Sequence, residues 1–173
     1  NSTELSKMTI KELETLRKAT TNETDIANID HKLASSYFNA GLTDKALEVT
    51  RELEAIAKKY KDTQFIIQSK ANYAGYYRRC KDYVKAAHYL KEGLALAKTG
   101  YEKDRVFLLQ GLGSLYRELE LNEEAYQTFL EVLAMAKTID TTTPRAIFAS
   151  YINATLAALS ADRPQEALQI ALE

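Results

Sequence analysis

The sequence predicts an all-α protein built from repeated helix hairpins, and three observations support this prediction. First, four segments of the 173-residue chain align on Ala46, Ala86, Ala125 and Ala167, which are 40, 39 and 42 residues apart. Second, a small residue stands twelve positions before each of the first three alanines, and a tyrosine follows that small residue by three positions. Third, six Gly and two Pro are few for this length, which disfavours the many tight turns of β-sandwiches and barrels.

The small residues have a packing role. They are Ala34, Ala74 and Gly113, and Ala154 is the fourth equivalent, thirteen residues before Ala167. A small side chain in mid-helix lets the partner helix approach closely, and the tyrosine one turn later fills the gap between hairpins. One hairpin cannot bury its own apolar face, so its stability depends on the next one. The tyrosines are Tyr37, Tyr77 and Tyr116.

Helix-start signals set the element boundaries. Thr9 and Glu12 predict a capping box for an N-terminal helix over 4–19. Thr43, Asp82 and Asn122 are predicted N-caps of later helices. The predicted first helices of the hairpins span 22–40, 63–80, 103–119 and 144–160, and the predicted second helices span 43–59, 83–98, 122–138 and 163–173.

These boundaries predict a domain organisation. Residues 1–21 form an N-terminal capping helix or half repeat, and four hairpins follow over 22–61, 62–101, 102–141 and 142–173. Thr143 before Pro144 marks the start of the last hairpin. The chain opens without an initiator Met and ends within an apolar helical pattern, so we expect it to be part of a longer protein.

With small residues at two close-packing positions and a tyrosine in the first helix, residues 22–173 resemble the tetratricopeptide repeat (TPR) family. The resemblance implies a right-handed α-solenoid of antiparallel helix hairpins, a TPR-like superhelix. The period near 40 exceeds the usual ~34 residues, and the proline that often ends the family's second helix is missing, so the chain resembles a long-helix variant. Such variants are similar to TPR sensor regions of bacterial signalling proteins, including GGDEF-type cyclases and histidine kinases, and to peptide-binding regulators of Gram-positive bacteria.

The resemblance also implies a binding site. In this family the first helices line a concave groove, so ligand-binding residues are expected on the inner face of each first helix. Amides suit peptide backbone groups, arginines suit carboxylates and rings suit apolar side chains. The candidate residues are Asn28, His31, Asn39, Gln68, Asn72, Arg78, Arg79, Gln110, Arg117 and Tyr151.

Several of these candidates have a structural alternative. Arg78 and Arg79 end a helix, where cations also meet the helix dipole favourably, so capping and ligand contact both stay open. Asn72 lies in an apolar run and needs partners from across the groove or from a ligand. Phe107 and Phe148 also map to the inner face, and for them packing between hairpins is favoured over contact with a ligand. Of the five positions that correspond to the family's clamp for chaperone tails, only Asn72 has the matching residue type, which disfavours chaperone-tail binding.

Composition limits the chemistry. Lys+Arg 23 against Asp+Glu 24 lacks the basic excess of a nucleic-acid binder, and no apolar run approaches the ~18 residues that span a bilayer. Cys80 is the only cysteine, so an intrachain disulfide is excluded, and we interpret it as structural despite the basic residues on either side. His31 and His88 fall in different repeats, which disfavours a metal site.

We therefore expect a protein- or peptide-binding module, the sensor or adaptor region of a larger bacterial signal-transduction protein, and not an enzyme. The alternative is a structural scaffold or dimerisation module that acts through its convex face or end repeats, so a homodimer stays open. We expect no nucleic-acid partner, no cofactor or metal, and no membrane insertion by this segment. The resemblance favours a periplasmic or extracytoplasmic location over a cytoplasmic one.

Overall fold

The computed structural model describes residues 2–139 and 144–173, and this part of the chain confirms the all-α prediction. Short connections join the helices. They are α1 (Ser2–Leu5), α2 (Ile10–Ala19), α3 (Glu23–Asn39), α4 (Thr43–Tyr60), α5 (Thr63–Arg79), α6 (Tyr83–Leu96), α7 (Glu102–Glu118), α8 (Asn122–Thr138), α9 (Pro144–Ser160) and α10 (Pro164–Leu172).

The helix predictions hold from α3 onward, where each helix begins and ends within two residues of its predicted range. The N-terminal prediction was wrong, because 4–19 contains the end of α1, a turn and α2 instead of one helix. Thr9 explains the break. Its side chain accepts a hydrogen bond from the Glu12 N–H, and the Glu12 carboxylate accepts one from the Thr9 N–H at 2.7 Å, so this capping box starts a new helix.

The predicted N-caps had mixed outcomes. Asp82 caps α6, since its Oδ1 accepts a hydrogen bond from the Lys85 N–H at 3.2 Å. The predictions for Thr43 and Asn122 were wrong: each is the first residue of its helix, and the cap positions hold Leu42 and Leu121, which make no side-chain cap bond. The predicted start signal at Thr143 lies outside the described residues.

Thr43 and Asn122 are not N-caps because the four hairpin turns share one tight backbone geometry. In each turn one residue has a left-handed conformation, and the N–H of the next residue donates to the carbonyl five positions back at 2.8–2.9 Å, which is a Schellman motif. The closing residue is also the N-cap position of the next helix at Leu42 and Leu121, so no separate capping residue fits there. The left-handed residues are Gly41, Lys81, Glu120 and Asp162.

The first compact unit extends to Leu96 and contains α1 to α6. Helices α3 and α4 pack as a hairpin, α5 and α6 pack as another, and α4 also packs on α5. The predicted close-packing residues Ala34 and Ala46 are fully buried. Leu13 of α2 is fully buried in the same core, and Arg17 of α2 pairs with the buried carboxylate of Asp30. Helix α2 is therefore part of this core.

The second unit runs from Ala97 to Glu173 and contains α7 to α10. Helices α7 and α8 pack as a hairpin, α9 packs on α8, and α10 packs on α9. The ring of Phe129 on α8 lies against the α7 backbone at Gly113, where an added Cβ would stand 2.9 Å from the ring. The small residue therefore sets the spacing between these two helices.

We expect Gly113→Ala and Gly75→Ala to change stability in opposite directions. A methyl group at Gly113 collides with Phe129, which is 1% exposed and cannot withdraw, so overpacking should cost about 1–3 kcal/mol even though Ala favours a helix. A Cβ at Gly75 would lie 3.7 Å from Phe38, an ordinary contact. Gly75→Ala should therefore gain up to about 1 kcal/mol from helix propensity. Urea unfolding followed by circular dichroism measures both, and effects of the same sign would contradict this packing.

Candidate ligand-binding surface

Helices α3 and α5 of the first unit are in contact and carry the candidate site. Two tight reversals separate them along the chain, so they run in the same direction. The ring of Phe38 on α3 lies at the level of Gly75 on α5, and the Arg79 guanidinium carbon stands 5.3 Å from the centroid of this ring. Moving two turns toward the N-terminus on both helices reaches His31 and Gln68, so these two residues lie at about the same level.

Three polar atoms on these two helices are buried without a hydrogen-bond partner among the described residues. They are Nδ1 of His31, Oε1 of Gln68 and Nδ2 of Asn72. Asn72 follows Gln68 by one helical turn, and its residue is only 8% exposed. Each buried polar atom without a partner costs about 1–3 kcal/mol. We call His31, Gln68, Asn72 and the Phe38–Arg79 pair the α3/α5 face.

The imidazole of His31 is neutral at physiological pH. Burial lowers the pKa of His31 from 6.5 to about 4, and the positive charge of Lys32 adds to the effect. A neutral imidazole carries one N–H donor and one acceptor nitrogen, so Nδ1 can serve in either role according to the tautomer. The deep end of the α3/α5 face is therefore polar and uncharged.

The other candidates of the first unit lie at its surface. Asn28 is exposed, and its Nδ2 donates to the Thr24 carbonyl within α3 at 3.0 Å. Asn39 is exposed at the end of α3. Arg78 and Arg79 are both exposed at the end of α5, and Arg79 lies over Phe38 as described above. Because these four residues are exposed, water can satisfy their polar groups. The buried polar atoms of His31, Gln68 and Asn72 lack this access to water.

The remaining candidates belong to the second unit. Gln110 is half-buried and Arg117 is exposed on α7. Tyr151 is half-buried on α9, and the Lys137 ammonium lies 5.1 Å from the centroid of its ring. Three of the ten candidates thus have buried polar atoms without a partner among the described residues, and they lie on the adjacent helices α3 and α5. The others lie at the surface, are half-buried or make internal contacts.

The packing predicted for Phe107 and Phe148 was wrong, and one apolar surface was not predicted. Phe107 and Phe148 do not pack between hairpins, because they are 64% and 67% exposed. An apolar surface on α9 and α10, which includes Phe148, was missed. A signal for it exists in the sequence, since no charged residue occurs from Ala146 to Ala161.

Among residues 2–139 and 144–173, no three His, Cys, Asp or Glu side chains are grouped so that they could hold a metal ion. Cys80 is an exposed free thiol. None of the helices in the described ranges combines the length and the apolar character needed to cross a membrane.

Comparison with known proteins identifies the fold. No protein-family profile matches the chain, and no curated protein sequence matches it. BtubC (BKLC) from P. vanneervenii has a similar structure, with a TM-score of 0.78 and 19% identity over 93% of this chain and 70% of that chain. A protein of Podosopora anserina designated a kinesin light chain, with nearly identical TPR-like repeats, has a TM-score of 0.65 and 22% identity over 94% of this chain and 82% of that chain. The fold is TPR-like. Since both identities are low, the similarity shows the TPR-like fold and leaves the function to the site.

The stability of this TPR-like chain should depend on pH through His31. The unfolded chain binds a proton near pH 6.5, whereas the folded chain binds it only near pH 4. The contribution of His31 to stability is therefore full above pH 6.5 and is lost as the pH falls toward 4. We expect the free energy of unfolding to fall in this interval by about 2–3 kcal/mol more for the wild type than for His31→Gln.

Urea unfolding at a series of pH values measures this difference. His88→Gln is the matched control, because His88 is 66% exposed on α6, and it tests whether the loss of any histidine is sufficient. Parallel curves for the wild type and His31→Gln between pH 6.5 and 4 would contradict the burial of a neutral imidazole.

Proposed function

We propose that this chain is a protein-interaction module that binds a peptide segment of a partner on the α3/α5 face. One observation supports the proposal most strongly: three buried polar atoms on adjacent helices have no partner among the described residues. Native proteins pair nearly all such atoms, and exceptions concentrate where a ligand or water completes the bonding. A ligand that supplies the missing partners recovers the cost of leaving them unpaired.

The chemistry of the three atoms favours an amide ligand. Gln68 offers a carbonyl oxygen that accepts, Asn72 offers an N–H that donates, and neutral His31 can do either. A peptide group presents one donor and one acceptor, which matches this pattern. A carboxylate would bring a charge into a buried setting without a paired cation, which is unfavourable. The bound segment is therefore an uncharged, amide-rich stretch at this end of the face.

The other end of the face suits a different part of the ligand. Phe38 and Arg79 lie two turns farther along α3 and α5 and combine a ring with a guanidinium. Phe38 is a buried core residue, and the exposed Arg79 guanidinium lies over its ring, so the group open to a ligand here is the guanidinium, which can pair with a carboxylate. A peptide that lies along both helices would place its amide-rich part at Gln68 and Asn72 and an acidic side chain at Arg79.

We further propose that the module is the sensor or adaptor region of a larger signalling protein. Repeats near 40 residues long support this role, because they resemble the long-helix repeats of bacterial sensors and peptide-binding regulators. An assembly role is the second candidate, and the exposed apolar residues of α9 and α10 favour it. The two roles use different surfaces of the chain.

Substitution of Asn72 should separate binding from stability. Asn72→Ala removes a buried, unpartnered amide, so we expect the free protein to be as stable as the wild type or more stable. Peptide binding should weaken by about tenfold or more, because one hydrogen bond in a buried site is worth about 1.5 kcal/mol. Peptides selected by display of a random twelve-residue library on the wild-type chain serve as the probe, and isothermal titration calorimetry measures their affinity.

Asn28→Ala is the matched control. It removes an amide on the same helix as His31, but this amide is exposed and already bonded within α3, so affinity should change less than about twofold. If Asn72→Ala lowers stability and leaves the affinity of the selected peptides unchanged, the amide is structural and the proposal is wrong. The same conclusion follows if the library yields no peptide that depends on the α3/α5 face.

A further inference from the structure

A charged cluster lies where α2 meets the first hairpin. Nε and Nη2 of Arg17 on α2 donate to the two carboxylate oxygens of Asp30 on α3, and the Nη2–Oδ2 distance is 3.2 Å. The Asp30 side chain is fully buried, and a buried carboxylate needs a partner of opposite charge. Arg17 also pairs with Glu52 on α4. This cluster therefore connects three helices, and we call it the α2/α3 junction.

A second cluster of the same layout lies where α4 meets the second hairpin. Lys70 on α5 is 40 residues after Asp30, and Glu92 on α6 is 40 residues after Glu52. The Lys70 ammonium lies 3.8 Å from the carboxylate of Glu54 on α4 and 3.0 Å from that of Glu92. We call this cluster the α4/α5 junction. Both junctions thus join the first helix of a hairpin to the helix before it and to its own second helix.

The signs of the charges are reversed between the two junctions. The first helix carries a carboxylate at Asp30 but an ammonium at Lys70, and the helix before it carries Arg17 in one case and Glu54 in the other. If α5 packed against α2, Lys70 would meet Arg17. If α3 packed against α4, Asp30 would meet Glu54. Like charges repel more strongly in a partly buried site than in water, so each hairpin matches the helix that precedes it and opposes the other one.

The apolar contacts do not distinguish the two junctions. Leu13 of α2 and Leu53 of α4 are 40 residues apart, and both are fully buried. The close-packing residues of the two first helices, Ala34 and Ala74, are identical and buried. Repeats with such similar contacts are prone to misassembly. Buried polar groups can select one register among similar ones, so the difference in charge is what separates the two orders.

We propose that the charges of the two junctions fix the order in which α2 and the first two hairpins stack. Arg17 accepts the hairpin that carries Asp30, and Glu54 accepts the hairpin that carries Lys70. The wrong order is excluded by repulsion, which is a common source of specificity between similar partners. This inference concerns the stacking of helices and does not depend on the ligand of the α3/α5 face.

Charge reversal at the α2/α3 junction tests the proposal. Arg17→Glu places a carboxylate beside Asp30, and Asp30→Lys places an ammonium beside Arg17, so each should raise the unfolding equilibrium constant about 100-fold or more. The double variant Arg17→Glu/Asp30→Lys has the charge order of the α4/α5 junction, and its unfolding equilibrium constant should be at least tenfold lower than that of either single variant. Urea unfolding followed by circular dichroism measures all three. A folded double variant beside unfolded single variants gives the same result.

An exposed ion pair of the same unit is the matched control. Lys59 of α4 pairs with Glu23 of α3 at 2.5 Å, and their side chains are 60% and 38% exposed. Reversal of either charge should change the unfolding equilibrium constant less than about fivefold, because water screens an exposed pair. An effect as large as that of Arg17→Glu would mean that any charge reversal destabilises the chain, and it would overturn the proposal.

The α4/α5 junction gives an independent test. Lys70→Met removes the ammonium, whereas Lys70→Glu also adds a carboxylate beside Glu54 and Glu92. We expect the unfolding equilibrium constant of Lys70→Glu to be at least tenfold higher than that of Lys70→Met. Amide hydrogen exchange in α2 should be faster in Arg17→Glu and should return to the wild-type rate in the double variant. Equal stability of the two Lys70 variants, or a double variant no more stable than Arg17→Glu, would overturn the proposal.

Discussion

The close approach of helices at small residues is the constraint on which the rest of the structure depends. Ala34, Ala46, Ala125 and Ala154 are fully buried, and the ring of Phe129 lies directly on the helix backbone at Gly113. A larger residue at any of these positions would push two helices apart and would loosen the apolar contacts along their length. The repeat is therefore visible in the sequence as small residues at fixed spacing, while the larger side chains between them vary.

The contact between α3 and α5 places the candidate site. The Phe38 ring of α3 lies at the level of Gly75 of α5, where an added Cβ would stand 3.7 Å from the ring, an ordinary contact. Two turns away, His31 is about level with Gln68, and each of these half-buried residues has a buried polar atom without a partner among the described residues. Burial keeps the imidazole neutral. The contact at one turn thus indicates which polar groups stand level two turns away.

Most of the fold could be predicted from the sequence, because helix periodicity and small residues are local signals. The four hairpin turns could not be predicted in detail. Gly41 signals its own left-handed conformation, because glycine adopts it readily. Lys81, Glu120 and Asp162 adopt the same conformation without such a signal. The family resemblance supplied the candidate residues of the ligand site, and their role there stays a prediction. The sequence did not predict that three of their polar atoms would be buried without a partner. This depends on how closely α3 and α5 pack, which neither helix determines alone. For the same reason the exposure of Phe107 and Phe148 was missed.

Two departures from ordinary stability rules therefore occur in this chain, and they are opposite in kind. On α3 and α5, polar atoms are buried without partners; on α9 and α10, apolar side chains are left in water. The buried polar atoms lower the stability of the free chain, whereas the exposed apolar side chains contribute little to it, and each surface suits a different occupant. An amide-rich peptide supplies hydrogen bonds and does nothing for leucines, whereas a packed helix buries leucines and cannot satisfy a buried amide. The two surfaces therefore suit chemically different occupants.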